Sequence, residues 1–391
     1  MRKLQRIFWI LAVLPFLIAG CDKPHHVEIP LPPDSGNTEN PGGNENQGGN
    51  ENPGGNENPG GNENQGGNEN QGGGNTHSGP WDENRGKVVT PSGPGWESKT
   101  VRQGIIYYHY SGSEDITGQK QEIFAVDLDL NNPSYKLVMT RTQPTTYTST
   151  VHKDYNAIAT INAGYEQGSI YIRSGGIDYS IIPNVQIGDT GQDNWKSEGA
   201  FYINSTGVPG IVFVGSPKRD GVVSGIMGGS YADAVKKQRD YYMYTLKKKD
   251  YPYLLSSAPL MIDDYEPLGE TFCDYSISES AANALNSENL EHHQRVRHPR
   301  TAVGITENNH FIMLVVDGRR TSRKGMSCRE LTRFMVKWFN PQYAINLDGG
   351  GSTSMCVEGL GNSKNVVNSP IDGGVSGQER ARDTHILILE N

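Results

Sequence analysis

Phe311-Ile312-Met313-Leu314-Val315-Val316-Asp317-Gly318-Arg319-Arg320 and, further on, Ala344-Ile345-Asn346-Leu347-Asp348-Gly349-Gly350-Gly351-Ser352-Thr353 decide how this chain is read. Each is a short apolar run that stops at Asp-Gly. Runs of this length predict buried strands. Between them Ser327 and Glu330 make an S-x-x-E capping box, which predicts a helix start. Leu331, Phe334, Met335, Trp338 and Phe339 then fall on one helical face, and Asn340-Pro341 stops the helix. A strand–helix–strand unit of this length can set its strands parallel, which would bring both aspartates to one edge of a sheet. Glycine after each aspartate lets backbone approach a ligand closely. Strand ends that feed loops are where rigid scaffolds place active polar groups.

Working outward, further β-branched and aromatic runs recur at 104–110, 122–130, 157–162, 200–203, 210–214 and 385–389. They predict more strands, punctuated by Gly and Pro. A second, weaker helix is expected over 279–291, with a solvated His292-His293 end. The class is therefore a sheet-rich mixed α/β (α+β) domain: mixed β-sheets with a few packed helices. The run Gly349-Gly350-Gly351-Ser352-Thr353 offers several N–H and hydroxyl donors to an anionic oxygen. It lacks the lysine of a P-loop and is not a G-x-S-x-G elbow, so nucleoside triphosphate binding and esterase chemistry are disfavoured.

The first hundred residues tell a different story. Arg2, Lys3 and Arg6 precede an apolar run, and Ile18-Ala19-Gly20-Cys21 follows it. This predicts a secretory signal over residues 1–20, with Cys21 as a lipidated mature N-terminus. The chain is then expected at a bacterial cell envelope, tethered to the lipid bilayer. From Asn37 to Gly74 a six-residue Asn-Glu-Asn-Pro/Gln-Gly-Gly unit repeats. It is too polar to form a core, so residues 21–99 are expected to be a disordered linker. A Gly-rich coil of about 45 residues spans roughly 35–40 Å. Residues 100–391 are expected to form the globular domain. The formal net charge of -9 comes largely from the linker, since residues 34–79 carry Asp34, six Glu and no Lys or Arg. No basic stripe tracks a nucleic acid. An oxidising compartment permits one disulfide among Cys273, Cys328 and Cys356, and the sequence does not choose the pair. Cys328 and Cys356 read as buried structural residues.

Four pieces come in a fixed order: His298-Pro299-Arg300-Thr301-Ala302-Val303-Gly304; Asp317-Gly318-Arg319; Gly325-Met326 before the capped helix; and Asn346-Leu347-Asp348-Gly349-Gly350-Gly351-Ser352-Thr353. This order resembles the phosphodiester glycosidase family. Ile161-Asn162-Ala163-Gly164-Tyr165 is similar to a further family segment, and Asn368-Ser369-Pro370 with Asp372, then Glu379-Arg380, resemble its closing motifs. Two departures stand out. The family commonly carries Phe where Glu166 stands, and it often continues Glu-Arg with Pro-Val-Ala-Asn where this chain has Ala381-Arg382-Asp383-Thr384.

The resemblance implies hydrolysis of a sugar–phosphate linkage in a glycan, with no cofactor required. A guanidinium presents paired donors to a phosphate diester, which makes Arg300 and Arg319 candidate phosphate ligands. Glycoside cleavage uses carboxyls that flank the bond. Asp317 and Asp348 are candidate catalytic groups, unassigned between base and nucleophile, and Glu166 is a third. Asn162, Thr301, Gly349, Gly350, Gly351, Ser352, Thr353, Asn368 and Arg380 are candidate substrate contacts. Two other readings are a non-catalytic binder of anionic glycans and a metal-assisted phosphodiesterase. No two-metal cluster is evident in the sequence, although a divalent cation on Asp317 or Asp348 is an alternative.

Overall fold

Side chains on a strand alternate between its two faces, and the strand His310–Val316 uses both faces for core. Ile312, Leu314 and Val316 join Leu331, Phe334 and Met335 of the helix Cys328–Trp338 in one apolar cluster. Phe311, Met313 and Val315 join a second cluster with Leu137, Ile161, Phe201, Leu255 and Ile386. A strand covered on both sides reads as a continuous apolar run, which is how it is written in the sequence. The structure is a computed structural model that describes residues 83–181, 195–215, 231–271 and 276–391, with side chains from 236 in the helix Tyr231–Asp240. The signal segment, Cys21, the repeat and Cys273 lie outside these residues.

Seven strands form the main sheet, in the order Trp96–Arg102, Ile105–Glu114, Gln119–Asp129, His310–Val316, Arg300–Ile305, Tyr343–Asn346 and Leu260–Ile262. The strand Arg300–Ile305 is antiparallel to both His310–Val316 and Tyr343–Asn346. Those two therefore run parallel, one strand apart, and their aspartate ends lie on the same edge. Arg300, at the start of the intervening strand, lies on that edge as well. A four-stranded sheet (Met355–Val357, Ala159–Asn162, Arg382–Glu390, Tyr135–Thr146) and a five-stranded sheet contribute to the second cluster. The sheet-rich class expected from the sequence is what forms. The first strand, Trp96–Arg102, crosses the domain start expected at residue 100.

The capped helix forms as its sequence dictates. The Ser327 side chain accepts from the Glu330 N–H, and the Glu330 carboxylate accepts from the Ser327 N–H. Asn340 ends it in the left-handed region, at φ +45°. The expected helix over 279–291 is instead two short helices, Glu279–Ala284 and Leu290–Arg295, because Asn289 caps a new start by accepting from the Glu291 N–H. His293 is only partly exposed: its ring packs 4.7 Å from Trp195 and 5.5 Å from Tyr165, and burial pushes its pKa well down. Cys328 and Cys356 are buried free thiols. Burial pushes Cys328 up to about 11 and Cys356 higher still. No described helix is long and apolar enough to cross a membrane.

Candidate active site

The glycine run after Asp348 lies against the starts and ends of three elements at the shared edge. Gly350 adopts φ +62°, and a Cβ there would stand 2.7 Å from Arg319 Nη2. A Cβ on Gly351 would stand 2.6 Å from Arg380 Nη2 and 2.7 Å from Asp372 Oδ1. Two arginines are thus laid directly on the loop, and only glycine leaves room for both.

Beneath this surface lies a buried polar frame. Asn162 accepts at Oδ1 from the Thr301 hydroxyl at 2.9 Å and from the Ser354 N–H at 3.1 Å, and it donates to the Asp348 carbonyl at 2.7 Å. The Thr301 hydroxyl also stands 3.5 Å from that of Thr353. Asn368 donates to the Thr353 carbonyl and to Asp317 Oδ1, and accepts from the Met355 N–H. Asp317 fills the centre of this frame. Its carboxylate accepts from the Ser369 N–H through both oxygens, from Asn368, and from Arg320 Nη1 at 3.4 Å. Burial raises Asp317 to about 6, against the pull of those donors. Arg300 is likewise turned inward. Its Nε donates to the Met326 carbonyl, and its Nη2 donates to the carbonyls of His293 and Val296, all at 2.8 Å.

Asp348 and Arg319 have different surroundings. Asp348 Oδ2 is buried with no hydrogen bond among the described residues, although Arg382 Nη2 stands 3.1 Å away. The buried Ser352 hydroxyl lies next to the Asp348 carboxyl. Burial raises the Asp348 pKa and so does the Glu166 charge, while Arg382, Ser352 and Lys196 oppose them. Buried polar groups without partners are rare enough to mark a place for a ligand or a proton. Arg319 makes no side-chain hydrogen bond or ion pair among the described residues. Its backbone is held at φ +57° in a turn closed by its N–H to the Lys324 carbonyl. That conformation costs a bulky residue about 1–2 kcal/mol. Burial, Arg380 and Arg300 lower its pKa, with Asp372 and Asp348 opposing. A guanidinium among like charges and without a partner is suited to an incoming anion. Arg380 is tied to Asp372 through Nε at 2.7 Å.

Glu166 completes the constellation. Its side chain is 56% exposed, and Arg382 Nη1 and Lys196 Nζ each stand 3.5 Å from its carboxylate. Burial would raise its pKa, but Lys196 and Arg382 outweigh that and lower it. Arg382 and Lys196 were not among the residues singled out in the sequence. The available signal for Arg382 was a charged pair, Arg382-Asp383, opening a strand whose apolar run is 386–389. Lys196 lies within the stretch 168–197, which matches no family motif, so no motif marks it. No group of three His, Cys, Asp or Glu among the described residues is placed to hold a metal ion.

Residues 155–389 match the family model described as phosphodiester glycosidase, and the chain belongs to that family. No curated protein matches the sequence. Among solved structures, the catalytic domain of zebrafish N-acetylglucosamine-1-phosphodiester alpha-N-acetylglucosaminidase is similar, with 18% identity, a TM-score of 0.46, and coverage of 78% of this chain and 87% of that one. A protein from Burkholderia pseudomallei K96243 is similar over 78% of this chain and 99% of its own, with 10% identity and a TM-score of 0.50. A hypothetical protein from Synechocystis shows 14% identity, a TM-score of 0.43, and coverage of 77% of this chain and 64% of that one.

Proposed function

We propose that this chain hydrolyses a sugar-1-phosphodiester at the cell envelope, cutting between the anomeric carbon and the bridging oxygen. One observation carries the reading. At the glycine loop, Arg319, which has no side-chain partner among the described residues, stands near Asp348, and Asp348 shares the two Nη atoms of Arg382 with Glu166. The diester binds to Arg319, with Arg380 and the Gly351 N–H beside it; the Gly350 N–H is held by the Pro299 carbonyl at 2.8 Å. The sugar ring lies toward the two carboxyls. Asn162, Thr301, Thr353, Asn368 and Asp317 hold the loop in place, and Arg300 fixes the segment before its strand. Ser352 offers its hydroxyl to Asp348 or to substrate. A fixed, partly buried array of this kind lowers the barrier because it needs no reorganisation as charge develops.

Turnover of a panel of sugar-1-phosphodiesters in heavy-oxygen water tests this reading. Heavy oxygen in the released sugar is the expected result. Heavy oxygen in the phosphate would replace the reading with a phosphodiesterase, and binding without turnover across the panel would replace it with a glycan-binding module. The envelope location rests on Cys21 and the preceding apolar run. Cys21→Ser is expected to release the protein from membranes, and unchanged fractionation would remove the lipid anchor from this account.

A further inference from the structure

Resting on the glycosidase reading, we propose that Arg382 and Lys196 are positioning residues that divide the work between the two carboxyls, giving Glu166 the part of base and Asp348 the part of acid. Arg382 is itself nearly buried, with 7% of its side chain exposed. Its Nη2 donates to the Gly164 carbonyl at 3.2 Å, which fixes the guanidinium plane. From that anchor Nη2 stands 3.1 Å from Asp348 Oδ2, and Nη1 stands 3.5 Å from Glu166 Oε1. Lys196 adds charge on the Glu166 side only at contact range. Its Nζ stands 3.5 Å from Glu166 Oε2, makes a 2.6 Å bond to Glu288, and lies over the rings of Tyr165 and Trp195.

The groups facing each carboxyl set its charge. Glu166 sees two cations, Lys196 and Arg382, and is open to water. Asp348 is 9% exposed and sees Arg382 at contact, with Glu166, Lys196, Ser352, Arg319 and Tyr165 around it. Burial disfavours a second carboxylate beside the first. The pKa directions agree with this geometry: Glu166 is lowered and Asp348 is raised. Two carboxyls pushed apart in this way serve as base and acid. In the step itself, a water oxygen bonds to the anomeric carbon and its proton passes to Glu166. The carbon–oxygen bond breaks with its electron pair on the bridging oxygen, which takes the proton of Asp348. The products are the free sugar and a phosphate monoester. Exposed Glu166 then loses its proton to solvent, and Asp348 regains one.

The test is carbon-13 titration of the side-chain carboxyls in the full chain, assigned with Glu166→Gln and Asp348→Asn, alongside the pH profile of kcat/KM. Glu166 is expected to titrate below an ordinary glutamate and Asp348 above an ordinary aspartate. The acid limb of the profile then follows Glu166 and the alkaline limb follows Asp348. Arg382→Gln removes a cation from both, so both titrations and both limbs move to higher pH, and kcat falls roughly tenfold to a hundredfold. Arg382→Lys keeps the charge and restores the limbs, but only part of kcat. Lys196→Gln moves Glu166 further than Asp348, and it serves as the reading if Arg382→Gln does not fold by circular dichroism. Glu166 titrating above Asp348, or titrations indifferent to both substitutions, would overturn the assignment. The two proposals fail separately. A split titration without sugar-phosphodiester turnover removes the glycosidase reading, and turnover without the split removes the division of labour.

Discussion

The strand ends at Asp317 and Asp348 look interchangeable on paper. Both close an apolar run, both precede glycine, and both lie on one edge of the seven-stranded sheet. In space they differ in who answers their oxygens. Asp317 receives the Ser369 N–H, Asn368 and Arg320, so its carboxylate ties the 368–369 turn to the sheet. Asp348 Oδ2 receives no hydrogen bond among the described residues and faces Arg382 and Glu166. The two arginines repeat the contrast. Arg300 spends its donors on three backbone carbonyls, while Arg319 spends none of its side-chain donors on the described protein. Under the proposed function, unfilled hydrogen-bonding capacity, not residue type, is what separates a frame residue from a working one.

The largest effect is expected at Asp348. Asp348→Asn should lower kcat about a thousandfold, roughly 4 kcal/mol of transition-state stabilisation, while leaving the melting temperature near wild type. Asp317→Asn should do the reverse, with kcat within about tenfold of wild type and a clear loss of stability. Equal loss of kcat in both variants, measured on a sugar-1-phosphodiester, would erase the contrast.

The arginines come next. Arg300→Ala leaves three carbonyls without their donor and should destabilise the fold by about 3 kcal/mol or more in urea melts. Arg319→Ala should leave the melt unchanged and raise KM about tenfold to a hundredfold, the worth of one or two charge-assisted hydrogen bonds. A stable Arg300→Ala protein with raised KM would place the phosphate at Arg300 instead.

A pH effect of similar or smaller size isolates Asp317. Its folded pKa, raised to about 6, lies above the unfolded value, so the folded state binds the proton more tightly. Stability from this group is therefore gained as pH falls from above 6 towards 4, by up to about 3 kcal/mol. The stability of wild type relative to Asp317→Asn should shift in favour of wild type between pH 7 and pH 4.5. An unchanged difference would mean that the donors around Asp317 fully offset its burial. The smallest effect is expected far from the contrast, at the helix cap. Ser327→Ala should cost about 1 kcal/mol with kcat unchanged, and a larger kinetic loss would show that the helix start steers the Met326 carbonyl that holds Arg300.

Local patterns in the sequence determined the elements. The apolar runs at 311–316 and 344–347, the Ser327/Glu330 box and the Asn340-Pro341 stop each act over a few residues, so each could be read without knowing the fold. The motif order likewise carried the family and the glycine loop, because Gly350 and Gly351 must be glycine wherever two arginines are pressed on them. The direction of the two aspartate strands followed from the length of their connection, but the Arg300 strand that separates them came only from sheet pairing. The proposed division of roles rests on tertiary structure alone. Glu166 and Arg382 lie 216 positions apart in the chain, and Arg320 meets Ser369 across 49. Which carboxyl is filled and which stays open depends on donors brought from distant segments. Burial and neighbouring charge then set each pKa, and neither is a property of the residue's own stretch of sequence.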